Sequence, residues 1–463
     1  MLRKSLKNFV FAGASSLLLV TAPIAASAET LADALVSAYR NSNLLEQNRA
    51  TLRAADEDVA QAVAALRPVI QWTADYTAQH TNKAAPTGQS LTTRAASTTL
   101  GATMTLLGFG RNRIAVAIQK ETVLATREGL RSVEQSVLLA AIQAYSDVKS
   151  ASEQVGINQN SVRLLNEELK ASNDRFEVGE VTKTDVSLAQ AQLASARASL
   201  ASSQGSLKSA REAYKAATGH YPGKLAPFPK RPALPKTLKA AQSIALRSQP
   251  SIKQLQHSVA ANDLAVDYAR ANRMPKVTGS LGYGLDEGGV HGTKASIDMS
   301  QTLYGGGALV SAQRQAIANA QSARAQLSQA GVTVSQGVAN AWSAIEIARA
   351  QISAYDQQVT AARTAYNGVK EEALLGARTT LDVLSAEQDL LDAQAGRITA
   401  AATLQVAYYQ LLSSMGLLTV ENLKLGVPTY DPAAYYNAVR NAPITLSPQG
   451  KKLDRVLQAI GQN

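Results

Sequence analysis

The feature that most constrains this chain is that its plan is written twice. Arg247, Ala261 and Pro275 follow Arg40, Ala54 and Pro68 at one constant spacing, with no gap. Around these anchors both copies read as the same succession. Each has a helical segment, two alternating segments, a very long helical pattern, a glycine turn and a returning helical pattern. A unit repeated in this way buries its apolar faces against a like neighbour. The chain therefore divides into a leader (1–28), a first repeat (29–237), a second repeat (238–420) and a turn-rich tail (421–463) expected to be partly disordered.

Residues 1–28 read as a signal peptide. Arg3, Lys4 and Lys7 precede an apolar run from Phe9 to Val20, and Ala26-Ser27-Ala28 offers a cleavage site before Glu29. There is no cysteine, which excludes disulfides, thiolate metal sites, cysteine nucleophiles and lipidation at a cysteine after the leader. Beyond the leader no run of 18 apolar residues occurs, so no transmembrane helix is expected. The formal charge of +11 falls to +8 without the three leader cations. These charges are scattered along helical patterns, as on solvated faces, and no nucleic-acid partner is expected. Aromatic residues make up only 5% of the chain, which suits thin helical coiled coils better than a thick globular core.

In each repeat the apolar period switches from helical to two. The first strand pair is expected at 69–81 and 95–108. There Ile70, Trp72, Ala74 and Tyr76 alternate with Gln71, Thr73, Asp75 and Thr77. The second pair is expected at 276–285 and 294–304, where Leu281, Tyr283, Ile297 and Met299 alternate with Ser280, Gly282, Ser296 and Asp298. One apolar face and one of small polar residues is the mark of transmembrane barrel hairpins. A soluble sheet with one wet face has the same alternation, so a soluble periplasmic coiled-coil scaffold stays open. Trp72, Tyr76 and Phe109 suit an aromatic girdle or core packing.

The helical patterns are long. One helix is expected from Thr30 to Arg67 and its counterpart from Leu238 to Arg273. The helices from strand to tip span roughly 100 Å, and the entering and returning helices roughly 55 Å each. One long helix thus matches two short ones end to end, with the linker 219–237 and the tail at the midpoint. Val186, Leu193, Leu200, Leu207 and Tyr214 recur every seven residues, followed at three by Ala189, Ala196, Ser203, Ala210 and Ala217. The second copy shows Val383, Leu390, Leu404 and Leu411, broken by Arg397. Such large and small knobs at a spacing of seven predict coiled-coil packing.

The glycine turns, or tips, fall at 177–185 and 374–382. Each places a glycine, Gly179 or Gly376, six residues before an Asp-Val pair. Glycine can leave a helix in the left-handed conformation, and Thr or Asp after it can cap the next one. With these turns in place the chain resembles the TolC family of outer-membrane efflux and secretion ducts over nearly all of its length after the leader. The resemblance rests on the repeat and on the motifs Arg175-Phe176-x-Val178-Gly179 through Thr184-Asp185-Val186 and Gly376-x-Arg378-Thr379-Thr380-Leu381-Asp382-Val383-Leu384.

That resemblance implies a mainly α chain with transmembrane β. Four strands per protomer would form a 12-stranded barrel in a homotrimer, continued by a long periplasmic α-helical coiled-coil barrel. It implies a passive exit duct of a tripartite efflux or type I secretion system, set in outer-membrane lipid. A periplasmic adaptor (membrane fusion) protein and an inner-membrane ABC or RND-type transporter would be its partners. It implies a gate at the tips, with Thr184, Asp185 and Arg378 matching the family's latch and Asp382 an inward carboxylate forming a ring of three. The adaptor would dock around Val178, Gly179, Leu375 and Gly376. Two departures stand out. Ser385 occupies the place of a second inward acid and Ala373 that of a latch tyrosine. Helix capping is the plainer reading of Asp185 and Asp382, and it is compatible with gating. An always-open diffusion porin is the other alternative.

No enzyme chemistry is expected. Gly282-Tyr283-Gly284 with Gly288 lacks the spacing and the βαβ setting of a nucleotide loop. The four histidines, His80, His220, His257 and His291, show no metal spacing, and no cofactor is expected.

Overall fold

The computed structural model describes residues 28–82 and 90–461; the expected leader lies outside the described residues up to residue 27. The first repeat runs α1 (Leu31–Asn41), α2 (Asn43–Ala64), β1 (Val69–Asn82), β2 (Ser90–Leu107), α3 (Arg111–Glu177) and α4 (Lys183–Thr218). The second runs α5 (Leu238–Ser248), α6 (Pro250–Ala271), β3 (Lys276–Asp286), β4 (His291–Ser300), α7 (Ala308–Leu374) and α8 (Thr380–Ser414). Two tail helices follow, α9 (Pro432–Val439) and α10 (Pro448–Gly461).

The long helices α3 and α7 contain 67 residues each, about 100 Å of helix. α3 packs on α4, α2 and α6, and α7 packs on α8, α6 and α5, so each long helix is matched by shorter ones along its length. In the heptad seam Val186, Ala189, Leu193, Ser203 and Tyr214 are buried. At the break, Arg397 Nε lies 2.5 Å from Asp356 Oδ1 of α7, so an ion pair replaces the apolar knob.

The four strands form one antiparallel sheet in the order β1-β2-β3-β4, leaving β1 and β4 as open edges. Its apolar face is bare within the protomer: Trp72, Leu281, Ile297 and Met299 are all exposed. No helix among the described residues is long and apolar enough to cross a membrane. A sheet that enters lipid must satisfy every backbone group by closing on itself, and four strands close only with strands of other copies.

Both entering helices are broken, not continuous as the periodicity predicts. Ser42 separates α1 from α2 and caps α2 by accepting from the Leu45 N–H. At the equivalent point Gln249 precedes Pro250, whose missing N–H fits the first position of a helix. The strands also differ from expectation. β2 starts at Ser90, not 95, because pairing continues from Val69↔Thr103 to Asn82↔Ser90 through residues whose polarity reads as loop. β4 spans 291–300, not 294–304. Asp286 Oδ1 accepts the Val290 N–H at 2.8 Å and tightens the reversal, while Ser300 pairs with Lys276, the residue after Pro275.

The buried core sits at the midpoint, where Leu138, Ile142, Tyr145, Tyr214, Leu411 and Met415 meet. The linker is seated there as expected. The Tyr145 hydroxyl donates to the Ala226 carbonyl at 2.8 Å and to that of Glu29 at 3.2 Å. The Glu29 carboxylate accepts from the Tyr214 hydroxyl and the Gly223 N–H, and His220 Nε2 lies 2.9 Å from it. His220 and His257, isolated in the sequence, therefore both face carboxylates, since His257 Nδ1 is 2.8 Å from Glu121 Oε2.

The tail is built rather than partly disordered through residue 461. Its tyrosines pack on charged residues of the first repeat: the Tyr430 ring lies 5.2 Å from Arg49, which also lies 5.3 Å from the Tyr39 ring of α1. Arg127 lies over Tyr436, and the Tyr435 hydroxyl donates to Glu57 at 2.7 Å.

Candidate functional site

The two tips are superimposable in design, down to the atoms that make the turn. In the first, the Gly179 N–H donates to the Phe176 carbonyl at 3.0 Å and the Glu180 N–H to that of Arg175 at 2.9 Å. In the second, Gly376 donates to Ala373 at 3.1 Å and Ala377 to Glu372 at 2.9 Å. Gly179 and Gly376 have φ of 81° and 76°, with open space where a Cβ would stand. Positive φ, not close approach, is therefore what demands glycine there.

Each return helix then opens with a reciprocal capping box. Thr182 Oγ1 accepts the Asp185 N–H at 3.3 Å, and Asp185 Oδ2 accepts the Thr182 N–H at 2.9 Å and its hydroxyl at 2.7 Å. Thr379 and Asp382 repeat the arrangement at 3.2, 2.9 and 2.9 Å. The bonds to the Thr182 hydroxyl and N–H hold the Asp185 carboxyl below its ordinary range; those to Thr379, N–H first, do the same for Asp382. The cap sits three residues before the carboxylate that the sequence suggests: Thr182 is the cap, Asp185 its partner, and Thr184 is exposed.

Arg378 does not meet Asp185 within the protomer. Its Nε lies 2.8 Å from Glu372 Oε2, across the turn, and that carboxylate raises the guanidinium's pKa further. Sequence reasoning missed Glu372, although an acid and a base flanking the turn glycine was the available signal. The C-cap residues Val178 and Leu375 are 72% and 85% exposed, so both turns present an apolar side chain at the end of the molecule.

Ser385 lines a groove of about 380 Å³ between α4 and α8, with Leu188, Gln192, Leu381, Leu384, Gln388 and Asp389. Gln192 Nε2 reaches Gln388 Oε1 at 3.4 Å, and Gln388 Nε2 donates to Asp392 at 2.9 Å. One helical turn from Ser385, Asp389 thus offers a second carboxylate on the Asp382 side of α8. Deeper in the α3–α8 seam, Glu387 is buried and one of its oxygens has no partner. Burial, and then the Glu168 charge, push it up to about 7, with the Ser161 hydroxyl and Lys370 opposing. Among the described residues no group of three or more His, Cys, Asp or Glu is gathered as for a metal.

An amphipathic sheet that closes only in an assembly, continued by helices of about 100 Å ending in capped, charged turns, defines an outer-membrane channel with a helical tunnel. The outer membrane efflux protein family matches residues 34–220 and 241–417. The chain belongs to that family. It is 33% identical to the outer membrane efflux protein BepC of Brucella suis, over 90% of this chain and 92% of that one. It is 26% identical to the alkaline protease secretion protein AprF of Pseudomonas aeruginosa, over 68% of each chain. It is 24% identical to the outer membrane protein TolC of Escherichia coli, over 85% of this chain and 84% of that one.

Solved structures agree on the fold. The Campylobacter jejuni CmeC outer membrane channel superposes with a TM-score of 0.75 at 16% identity, covering 90% of each chain. The open state of the Neisseria gonorrhoeae MtrE channel gives 0.72 at 18% identity, covering 83% of this chain and 88% of that one. The family is one of channels, and its members sit in the outer membrane of Gram-negative bacteria and reach into the periplasm. TolC-family channels are homotrimers that work with adaptor proteins and inner-membrane transporters.

Proposed function

We propose that this chain is the passive exit duct of a tripartite efflux or type I secretion system, closed at rest by its tips. Three protomers supply twelve strands to one barrel and their helices to one tunnel. The duct performs no chemistry; an inner-membrane transporter supplies the energy and an adaptor joins the two. Cargo is a small toxic compound or drug, or a protein, in keeping with relatives named for efflux and for protease secretion.

The observation that carries this reading is the paired tip. The same left-handed glycine turn and the same capping box end both 67-residue helices. A static pore has no need of charged, capped reversals so far from its strands. In the gate, Asp382 supplies a ring of three carboxylates that favours cations at the mouth. Arg378 is shared between Glu372 of its own turn and Asp185 with Thr184 of a neighbouring hairpin. Opening moves α7 and α8 away from α3 and α4, parting the Gln192–Gln388 bridge. Val178-Gly179 and Leu375-Gly376 are the surface on which the adaptor seats.

Single-channel recording in planar bilayers tests the gate. Low resting conductance in the wild type, raised by Arg378→Ala, is the expected result. High resting conductance in the wild type would make the chain a diffusion porin.

A further inference from the structure

The tail runs along α1 and α2 contact by contact, from the midpoint to the start of β1. The Tyr430 N–H donates to the Tyr39 hydroxyl at 3.3 Å, Tyr435 bonds Glu57, and Arg67 donates to the carbonyls of Asn441 and Ala442, the latter at 2.7 Å. Arg67 is two residues before Val69, where β1 begins. α10 starts six residues beyond Ala442 and is held there. The Ser447 N–H donates to the Ile444 carbonyl at 2.8 Å, and Gln449 Nε2 to that of Ala438 at 2.6 Å. A Cβ at Gly450 would lie 2.1 Å from the Ile444 oxygen, so the first turn of α10 is pressed onto the bend before it.

α10 is strongly amphipathic, and within the protomer its apolar side lacks a cover. Leu453, Val456 and Leu457 share one face by helical spacing, and Val456 and Leu457 are 52% and 42% exposed. Just before them Ile444 and Leu446 are 63% and 80% exposed. Lys451, Lys452 and Arg455 are exposed along the same helix. The lipid-facing band of the sheet begins nearby, with Ile70 and Leu106 exposed at its lower edge.

We propose that α10 is an interfacial helix that lies on the periplasmic leaflet of the outer membrane and binds its anionic phospholipids. The proposal rests on the outer-membrane placement of the barrel. Leu453, Val456 and Leu457 enter the acyl boundary, and Lys451, Lys452 and Arg455 meet the phosphate headgroups. Two features select lipid over a protein occupant. The polar side opposite the apolar face carries three cations against the single acid Asp454, complementing anionic headgroups, and the Arg67–Ala442 tether holds the segment before the helix beside the start of the first strand. A lone helix of 14 residues binds a bilayer weakly, but one tethered beside an embedded barrel has a high effective concentration at that surface. The tail thereby fixes the height of the barrel foot through α2.

The chain has no cysteine, so Leu457→Cys creates a unique labelling site on the full-length protein. An environment-sensitive fluorophore there is read in nanodiscs of phosphatidylcholine alone or mixed with phosphatidylglycerol. The expected result is blue-shifted emission that shallow doxyl-labelled lipids quench, more strongly with phosphatidylglycerol. Val456→Cys should give the same result, and a label at Glu180→Cys on the tip should stay unquenched. Lys451→Gln, Lys452→Gln and Arg455→Gln together should abolish the dependence on phosphatidylglycerol. Water-like emission at both positions, unquenched in either nanodisc, would overturn the proposal. So would blue-shifted emission insensitive to doxyl lipids, with position 457 cross-linking between protomers, which would make a second copy the occupant.

Discussion

Arg378 Nε lies 2.8 Å from Glu372 Oε2, so the second tip closes its own charge across the turn that Gly376 makes. The first tip has no equivalent pair: among the described residues no ion pair is made by Arg175 or Lys183. The two turns thus share a backbone and differ in charge.

Arg378→Ala should raise resting single-channel conductance several-fold, because it removes the cation that the proposed gate shares between hairpins. Glu372→Gln should leave the duct closed, since the guanidinium keeps Asp382 of its own turn and, in the proposed latch, Asp185 of the neighbouring hairpin. Equal conductance in both variants and the wild type would remove Arg378 from the gate.

Thr182→Ala should cost about 1 kcal/mol of local stability by deleting a cap. Hydrogen exchange of the first-turn amides of α4 measures it better than whole-protein melting. The Asp185 carboxyl is held below its ordinary range, so its contribution is present above that range and is lost as pH falls through the folded-state value. Protection of the tip amides relative to their intrinsic exchange rate should therefore fall in strong acid, and it should do so less in the Thr182→Ala variant.

Glu387→Gln should stabilise the α3–α8 seam at pH 8 and change little at pH 5. Burial raises this carboxyl to about 7, so the folded state holds a proton that the unfolded chain has released. Stability falls as pH rises from the ordinary carboxylate range to about 7, and stays low above it. A neutral amide removes that loss, on the order of 2–3 kcal/mol. Thermal denaturation at the two pH values, with wild type in parallel, reads the difference.

Tyr145→Phe should destabilise the midpoint by about 1–2 kcal/mol, since the Ala226 and Glu29 carbonyls lose a buried donor. Limited proteolysis should then cut first within the linker 219–237. Unchanged linker protection would mean that Glu29, through its bonds to His220, Gly223, Lys224 and Ala226, seats the segment without Tyr145.

Much of this was legible in the chain itself. The repeat, the strand pairs, the long helices and the tip glycines follow from local chemistry: apolar period, positive φ and capping residues. The boundary errors share one cause. Ser42 and Pro250 interrupt helical patterns whose apolar spacing runs on across them. The polar residues near Asn82 and Ser90 stay paired because their backbones face each other. The tail was misjudged because its order comes from Arg49, Glu57, Arg67 and Arg127, far away in sequence.

The repeat, read alone, determined that two like halves must pack and that each half reverses at one capped glycine turn, because period and backbone conformation are properties of neighbouring residues. Only the tertiary structure decided which charges meet. It buried Glu387 between α3 and α8, brought His220 to Glu29 and tied Ala442, ahead of α10, to Arg67 beside β1. Those pairings depend on how helices of about 100 Å lie against one another, and side chains distant in sequence are matched only once that packing is complete.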